Sequence, residues 1–431
     1  MRKTDFVQQE IDRLYRSGYG KMIGALLYFS RDIDLETAED LVQDSFSAAL
    51  TAWRGNSIPD NPEAWLFRVC KNKALDRITE IRRLRGLNRM PVVGDPELAP
   101  EPSPDRLLED SQLNLLFLCA NPDLPPKTQV VITLKYVAGI KVEALAQIFG
   151  MTIDGVDKLL LRARQKIKQE KILLAEPATA DLYSRVAIVH KIIYLIFNEG
   201  YKSSWGKDLV REELCEEALL LNRALLNSPL GNAETKALYA LMLFNAARFK
   251  ARFGSSGELL DLEEQDRSLW SRDLIDLGCH FFRQSRSEQL SQYHFEAAIA
   301  QLHCLADHFN KTDWIKIAAL YEQLLKRTLN PFVELNYAIA MYYAAKRETA
   351  WETLNKLRQS SFMSRYYLLY ATLGKICFLE KNYDAASAHF KIALEQTGSP
   401  VEKDFIMKMI VRIEKAADRT GHSDASPKPY R

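Results

Sequence analysis

Acidic and amide side chains recur at helical spacing near the N-terminus. The segment Glu36–Trp53 reads ETAEDLVQDSFSAALTAW, which places apolar residues on one helical face and polar ones on the other. The residues on the polar face that could dock a basic partner are Glu39, Asp40, Gln43 and Asp44. An ordinary solvated face has the same composition, so this stripe alone leaves both interpretations open.

A second predicted helix, Asn61–Ile78, carries side chains suited to nucleic acid. It begins at a proline and reads NPEAWLFRVCKNKALDRI. Its basic and amide residues are Arg68, Lys71, Asn72, Lys73 and Arg77. Holding an opened DNA strand requires cations along the phosphates and polar groups near unstacked bases, and this helix can supply both. Trp65, four residues before Val69, is predicted to pack in the core beneath the polar face.

A pair of helices near residue 150 has the pattern of a helix-turn-helix. The inner face of the first helix consists of Leu145, Ile148 and Phe149. That of the second consists of Val156, Leu160, Ala163 and Ile167. Lys158 and Arg162 lie one helical turn apart on the outward face, and Arg164 follows them. In this motif the second helix enters the major groove, where such side chains reach base edges or phosphates.

Acidic clusters and histidines in the C-terminal half invite a catalytic or metal-binding interpretation. The acidic candidates are Glu199, Glu212, Glu213, Glu216, Glu217, Glu263, Glu264 and Asp266. The sequence pairs no nucleophile with a base. His303 and His308 are spaced off a common helical face, and no ligand set completes them. We therefore expect no enzyme, catalytic residue, metal or cofactor, and assign these side chains to caps and salt bridges.

Length and composition predict several helical domains. The chain has 431 residues, 47% hydrophobic and 26% charged, which suits about three domains. Long stretches of period-3.6 apolar pattern, with no convincing alternating strand, predict an all-α fold. No run reaches the roughly 18 apolar residues that span a bilayer, and the N-terminus lacks the apolar core of a signal peptide. We therefore expect a cytoplasmic protein without a membrane partner.

Charge and repeats divide the chain. The stretch 86–110 contains two basic and six acidic residues and several prolines, which indicates an acidic linker. Residues 68–85 and 127–171 on either side are both strongly basic, as in many nucleic-acid-binding modules. Further on, small and bulky residues recur at the offsets of tetratricopeptide helix pairs: Leu373, Gly374, Ala386, Phe390 and Ala393. Similar offsets occur 36 residues earlier.

Several segments resemble the extracytoplasmic-function class of bacterial RNA polymerase sigma factors. AEDLVQDSF is similar to the polymerase-binding helix, NPEAWLFRVCKNKALDRI to the segment engaging the −10 promoter element, and the helix-turn-helix to the −35-binding domain. The C-terminal half resembles the long helical extension of one subgroup. The resemblance implies a polymerase-binding and −10 domain at 1–85, the linker at 86–110, the −35 domain at 111–171, a helical extension domain at 181–289, tetratricopeptide-like repeats at 290–418 and a disordered tail at 419–431.

The resemblance also implies the function. The stripe Glu39, Asp40, Gln43 and Asp44 would bind the clamp-helix coiled coil of the large subunit of core RNA polymerase. The basic residues of 61–78 would engage the −10 element of promoter DNA and help to melt it. Lys158, Arg162 and Arg164 would contact the −35 element. The C-terminal half would regulate activity or bind a protein partner.

The predicted recognition helix departs from the family pattern, which is usually polar or basic there. Asp157 would repel phosphate, and Leu159 and Leu161 cannot form hydrogen bonds with bases. These residues favour an alternative function, a protein-interaction scaffold with a degenerate DNA-binding half. The two leucines also suggest a hypothesis that residues 181–418 pack over the second basic module and gate its access to the promoter.

Overall fold

The chain is helical throughout the part that the computed structural model describes, which comprises residues 3–30, 32–55, 58–85, 104–149, 151–169, 179–201, 211–254 and 258–423. Within these ranges there is no strand beyond an isolated antiparallel bridge between Phe253 and Leu259. The all-α prediction is confirmed.

Three helices form the first module: α1 (Lys3–Phe29), α2 (Leu35–Gly55) and α3 (Pro62–Leu84). The apolar face predicted for α2 is the face it buries, through Ala38, Val42, Ala49 and Trp53. The side chain of Asn61 caps α3, because its Oδ1 accepts a hydrogen bond from the backbone N–H of Ala64 at 3.0 Å. Half-buried Trp65 packs its ring 5.4 Å from that of Trp53, as expected for a core position.

The second module contains α4 (Pro104–Cys119), α5 (Pro126–Tyr136), α6 (Val142–Phe149) and α7 (Ile153–Gln169). The predicted helix-turn-helix is the pair α6 and α7. The predicted inner-face residues that are buried are Leu145, Ile148, Val156, Leu160, Ala163 and Ile167, while Phe149 is half-buried. Helix α4 begins inside the stretch predicted as a linker, so residues 104–110 are helical. Residues 86–103 of that stretch lie outside the described part of the chain.

The helices fall into two compact units, α1 to α9 and α10 to α18. Helices α8 (Thr179–Tyr201) and α9 (Glu212–Asn227) pack against each other and against α4, and α8 also contacts α5. The boundary between the units therefore falls inside the stretch 181–289, which the sequence analysis treats as one domain.

The second unit is built from consecutive helices. They are α10 (Ala233–Ala246), α11 (Arg272–Gln284), α12 (Gln292–Leu305), α13 (Trp314–Leu325), α14 (Pro331–Tyr343), α15 (Arg347–Arg358), α16 (Tyr367–Leu379), α17 (Tyr383–Gln396) and α18 (Pro400–Ser423). Helix α18 extends into the predicted disordered tail, and residues 424–431 lie outside the described part. In the hairpin α16–α17 a Cβ on Gly374 would lie 2.6 Å from the Phe390 ring, so only glycine permits this helix contact.

The turns of two hairpins have the same backbone conformation. Ala345 follows α14 with φ 62°, and Lys381 follows α16 with φ 61°. The next residue in each turn, Lys346 or Asn382, donates its N–H to the carbonyl five residues earlier, at 2.9 Å in both cases. These equivalent turns are 36 residues apart, which is the spacing of the predicted repeat.

Candidate polymerase- and DNA-binding site

Three of the four predicted docking residues on α2 face solvent. Asp40, Gln43 and Asp44 are exposed, and their spacing places them on one face of the helix. The pKa of Asp40 is raised by partial burial and by the nearby carboxylates of Glu39 and Glu36. The face therefore carries clustered negative charge, which a basic partner would stabilise.

The fourth predicted docking residue, Glu39, is buried, because α1 and α5 cover it. Its Oε1 lies 2.6 Å from the Lys135 Nζ on α5, and the two side chains are only 10% and 12% exposed. The hydroxyl of Tyr19 on α1 and the amide of Gln43 each donate to the same oxygen at 3.1 Å. The expectation that Glu39 lies on the solvent-facing stripe is therefore wrong for this arrangement.

The polar face of α3 presents several predicted DNA-binding residues to solvent. Arg68, Asn72 and Arg77 are exposed, while Lys71 and Lys73 are half-buried. The Lys71 Nζ lies 5.9 Å from the centroid of the Phe29 ring, and the Lys73 Nζ is 4.0 Å from Asp44. Arg77 pairs with Glu80 at 2.6 Å, and both side chains remain about half exposed. The exposed residues form a basic face next to the acidic face of α2.

The basic residues of α7 point in two directions. Lys158 and Arg162 are exposed on the outward face, where Lys158 pairs with Asp154 at 2.8 Å. Arg164 instead faces α2, and its Nη1 lies 3.6 Å from Glu36. Lys168 reaches the residue before α2, with its Nζ 3.0 Å from Asp34. The structure therefore brings Lys158 and Arg162 together and separates Arg164 from them.

The two leucines of α7 differ in exposure within the first unit. Leu161 is 45% exposed, and Leu159 is half-buried. The C-terminal half does contact the second module, but it does so through α8 on α4 and α5. The hypothesis that residues 181–418 gate the face carrying Leu159 and Leu161 stays a prediction.

The first and second modules pack closely through α1. A Cβ on Gly20 would lie 2.1 Å from the Val137 carbonyl oxygen, and one on Gly24 would lie 2.3 Å from that of Ser111. Only glycine permits such close backbone approaches. This contact was not predicted from the sequence, although two glycines four residues apart on a predicted helix are a detectable signal for it.

A half-buried carboxylate, Glu217, lies where α1, α4 and α9 meet. The Gln112 amide on α4 is 3.3 Å from the Glu217 Oε1 on α9. Burial raises the pKa of Glu217 to about 7, against the opposing effect of Lys21 on α1. Among the described residues, no group of three or more His, Cys, Asp or Glu side chains is arranged to hold a metal ion.

Sequence comparisons match each part of this architecture. Residues 14–84 match the family described as Sigma-70 region 2, and residues 116–167 match Sigma-70, region 4. RNA polymerase sigma factor CnrH of Cupriavidus metallidurans is 33% identical over 137 residues, which cover 30% of this chain and 70% of CnrH. The chain belongs to the extracytoplasmic-function RNA polymerase sigma factors. As a member of that family it is a transcription initiation factor, whose partners are core RNA polymerase and promoter DNA.

Further similarity reaches the C-terminal half of this sigma factor. Residues 185–286 match a family of unknown function, DUF6596. An uncharacterized protein of Rhizobium meliloti is 33% identical over 388 residues, or 88% of this chain and 91% of the relative.

ECF RNA polymerase sigma factor SigG of Mycobacterium tuberculosis is 29% identical over 172 residues, or 35% of this chain and 45% of SigG. No solved structure matches the chain. In the described part of the sigma factor, no helix has the length and apolar content to span a bilayer.

Proposed function

We propose that this sigma factor docks core polymerase through the exposed face of α2 and holds the opened −10 strand against α3. Asp40, Gln43 and Asp44 would contact the basic partner, with Glu39 joining them once α5 moves away. The strand would lie along Arg68, Lys71, Asn72, Lys73 and Arg77. Outward-facing Lys158 and Arg162 would contact the −35 element, with Arg164 released for DNA only after its contact with Glu36 breaks.

The observation that carries this proposal is the side-by-side exposure of an acidic face and a basic face on one three-helix module. Asp40 and Asp44 on α2 and Arg68 and Arg77 on α3 are all exposed, although ion pairs could have buried them. Lys73 and Asp44 approach each other across the two helices only to 4.0 Å, and exposed opposite charges on neighbouring faces suit two different partners, a basic protein and a polyanion.

We further propose that the arrangement of the two modules described here is a resting form. The −10 and −35 elements are about 25 base pairs apart, or about 85 Å at 3.4 Å per base pair. Two modules joined by Lys135–Glu39 and by backbone contacts at Gly20 cannot bind both elements at once. Promoter binding would therefore require the second module to separate from the first.

The C-terminal half would regulate this opening or bind a protein partner on its repeats. The packing of α8 and α9 on α4 and α5 supports the proposal, because these helices would resist movement of the second module. A truncation after Lys171 would remove that packing and expose apolar surface. A chain ending at Gly231 would keep α1 to α9 and is the better test of what the second unit does.

Run-off transcription with purified core polymerase tests the function. We expect promoter-specific transcripts from the full chain and a change in their amount from residues 1–231. A rise would indicate that the second unit restrains opening, and a loss would indicate that it is required. If the full chain binds core polymerase but yields no transcript on any genomic promoter fragment, the scaffold alternative is favoured. The exposed Leu161 and the inward-facing Arg164 are the observations that support that alternative.

A further inference from the structure

A cavity of about 300 Å³ lies in the second unit between α14, α16 and α18. That volume is at the lower end of the range for small-molecule sites. The side chains that form its aromatic part are Phe309, Trp314, Tyr342, Tyr343, Phe390 and Phe405. Its charged residues are Asp261, Glu263 and Lys375. The cavity lies wholly within α10 to α18 and involves none of the polymerase- or DNA-binding residues.

Three aromatic rings form a rigid part of the wall. The Trp314 and Tyr343 rings stack with centroids 4.7 Å apart, and the Phe309 ring meets them edge-on at 5.1 and 5.0 Å. Each ring fixes the orientation of the other two. Aromatic faces carry partial negative charge and attract cations, most strongly where water is excluded.

The charged corner carries an excess of negative charge. The Lys375 Nζ lies 3.3 Å from Asp261 Oδ2 and 3.2 Å from Glu263 Oε2, so one ammonium faces two carboxylates. The pKa of Asp261 is raised chiefly by burial, and Glu264 and Glu263 add to the effect. Burial raises the pKa of the Tyr343 hydroxyl, and the nearby carboxylates of Glu263 and Asp261 raise it further. The negative potential therefore extends to the aromatic wall.

The segment that carries the carboxylates is fixed on both sides. Leu262 packs against the core cluster that contains Phe244 and Trp270. Glu264 pairs with Arg412 on α18 at 2.8 Å. The carboxylates of Asp261 and Glu263 are therefore held at the cavity before any ligand arrives, which lowers the entropy cost of binding.

We propose that this cavity binds a small organic cation, an ammonium group on an aromatic or alkyl body. Among the described residues that line the cavity, Lys375 is the only basic one. Its ammonium already pairs with both carboxylates, those of Asp261 and Glu263. An anionic ligand would therefore meet unfavourable charge, and a neutral ligand would use only the apolar wall. A cation uses both the rings and the net negative charge that remains when one ammonium faces two carboxylates.

The test is isothermal titration of the full chain at pH 7.5 with three probes of equal body and different charge. These are 3-phenylpropylamine, 3-phenylpropanol and 3-phenylpropionate. We expect the amine to bind at least tenfold more tightly than the alcohol, and the carboxylate to bind most weakly. Equal binding of amine and alcohol, tightest binding of the carboxylate, or no binding of any probe would each overturn the proposal.

Variants assign the binding to this cavity. Asp261→Asn with Glu263→Gln should weaken amine binding at least tenfold while the alcohol changes less than twofold. If the double variant folds poorly, Glu263→Gln alone can replace it, because this side chain is 40% exposed. The single variant should give a milder loss. Lys375→Gln should instead tighten amine binding, because it removes the competing ammonium, whereas a purely structural role for Lys375 predicts a loss. The control Glu348→Gln with Glu352→Gln, on exposed α15 positions, should change nothing. If none of the cavity variants changes the amine affinity, the ligand binds elsewhere and the assignment is refuted.

Discussion

Helices α3 and α7 both have an excess of basic residues, but these residues have different roles in the packing. On α3, Arg68 and Arg77 are exposed beside an equally exposed acidic face. On α7, Arg164 pairs with Glu36, and beyond it Lys168 pairs with Asp34. Helix α3 therefore presents its charge to solvent, whereas α7 uses part of its charge to hold the second module against the first.

This difference shows that net charge does not identify a nucleic-acid surface. Both basic stretches have an excess of basic residues, yet only the structure tells which charges are accessible. If α2 docks polymerase as proposed, the two binding activities would be coupled. The residues that hold the second module closed, Glu36 and Glu39, lie on the helix proposed to dock polymerase.

The largest expected effect is on polymerase docking. Reversing the exposed charges with Asp40→Lys and Asp44→Lys should weaken binding to core polymerase about a thousandfold, or about 4 kcal/mol, because like charges would meet. Co-purification with core enzyme measures this. Glu348→Lys with Glu352→Lys has the same spacing on α15 and serves as the control. Unchanged co-purification of the α2 variant would remove α2 from the docking surface.

The next effect concerns the contact between the modules. Lys135→Met should lower the free energy of unfolding of the first unit by about 3 kcal/mol, because Glu39 would be left charged and buried without its cation. Glu39→Met in the same chain should restore most of that loss, since an apolar pair needs no solvation. Urea unfolding followed by circular dichroism gives both values. Equal stability of the wild type and the single variant would show that this pair does not hold the modules together.

Charge removal on α3 should act on DNA melting. Arg68→Ala with Arg77→Ala should weaken open-complex formation about thirtyfold, or about 2 kcal/mol. Loss of two phosphate contacts should also reduce the salt dependence by nearly two counterions. Permanganate footprinting over a salt series measures both quantities. Normal melting by the variant would contradict the role proposed for α3, while its retained polymerase binding serves as the folding control.

Charge removal on α7 should act on a different step. Lys158→Ala or Arg162→Ala should each weaken binding of the −35 element by about 1–2 kcal/mol and leave melting at a strong −10 element unchanged. The exposed pair with Asp154 contributes little and should not mask the effect. Electrophoretic mobility shifts on promoters with and without a −35 element separate the two steps. An equal loss on both promoters would indicate non-specific phosphate binding only.

The smallest effect is a dependence on pH at the junction of α1, α4 and α9. The pKa of Glu217 is about 7 in the fold, against 4.5 as the ordinary value, so the folded state binds more protons between these limits. Stability should fall as pH rises through this window. Glu217→Gln should therefore stabilise the chain by about 1–2 kcal/mol at pH 8, less than the full pKa difference would give because the side chain is only half-buried, and change little at pH 4.5. Melting temperatures at both pH values measure this, with the neighbouring exposed Glu216→Gln as control. Equal shifts at both pH values would contradict burial of a charged Glu217.

Much of the fold follows from local pattern. The inner face of α7 and the proline start of α3 are each encoded within a single helix, and the 36-residue spacing of the repeats within consecutive helix pairs. Local spacing decides these features because the period of the helix fixes which residues share a face. The same reasoning predicted that Asp40, Gln43 and Asp44 share a polar face, and the structure leaves all three exposed.

The errors arose where distant segments meet. Glu39 shares a polar face with Asp40 and Gln43, yet Lys135 and Tyr19 approach it from α5 and α1. The helical pattern of one segment does not predict contacts with residues as distant in the sequence as Lys135. The inward turn of Arg164 and the cavity at Lys375 have the same origin, since each depends on tertiary contacts between helices.

The buried pair Lys135–Glu39 has a consequence for competition inside the cell. One carboxylate cannot serve Lys135 and polymerase at once. If docking requires Glu39 as well as the exposed residues, the apparent affinity for core enzyme equals the intrinsic affinity multiplied by the fraction of open molecules. If closure is favoured by about 2.7 kcal/mol, that fraction is about one in a hundred. Such a factor would keep this sigma factor from displacing others that share a limited pool of core enzyme. A modest shift toward the open form would then be enough to reallocate polymerase to its promoters.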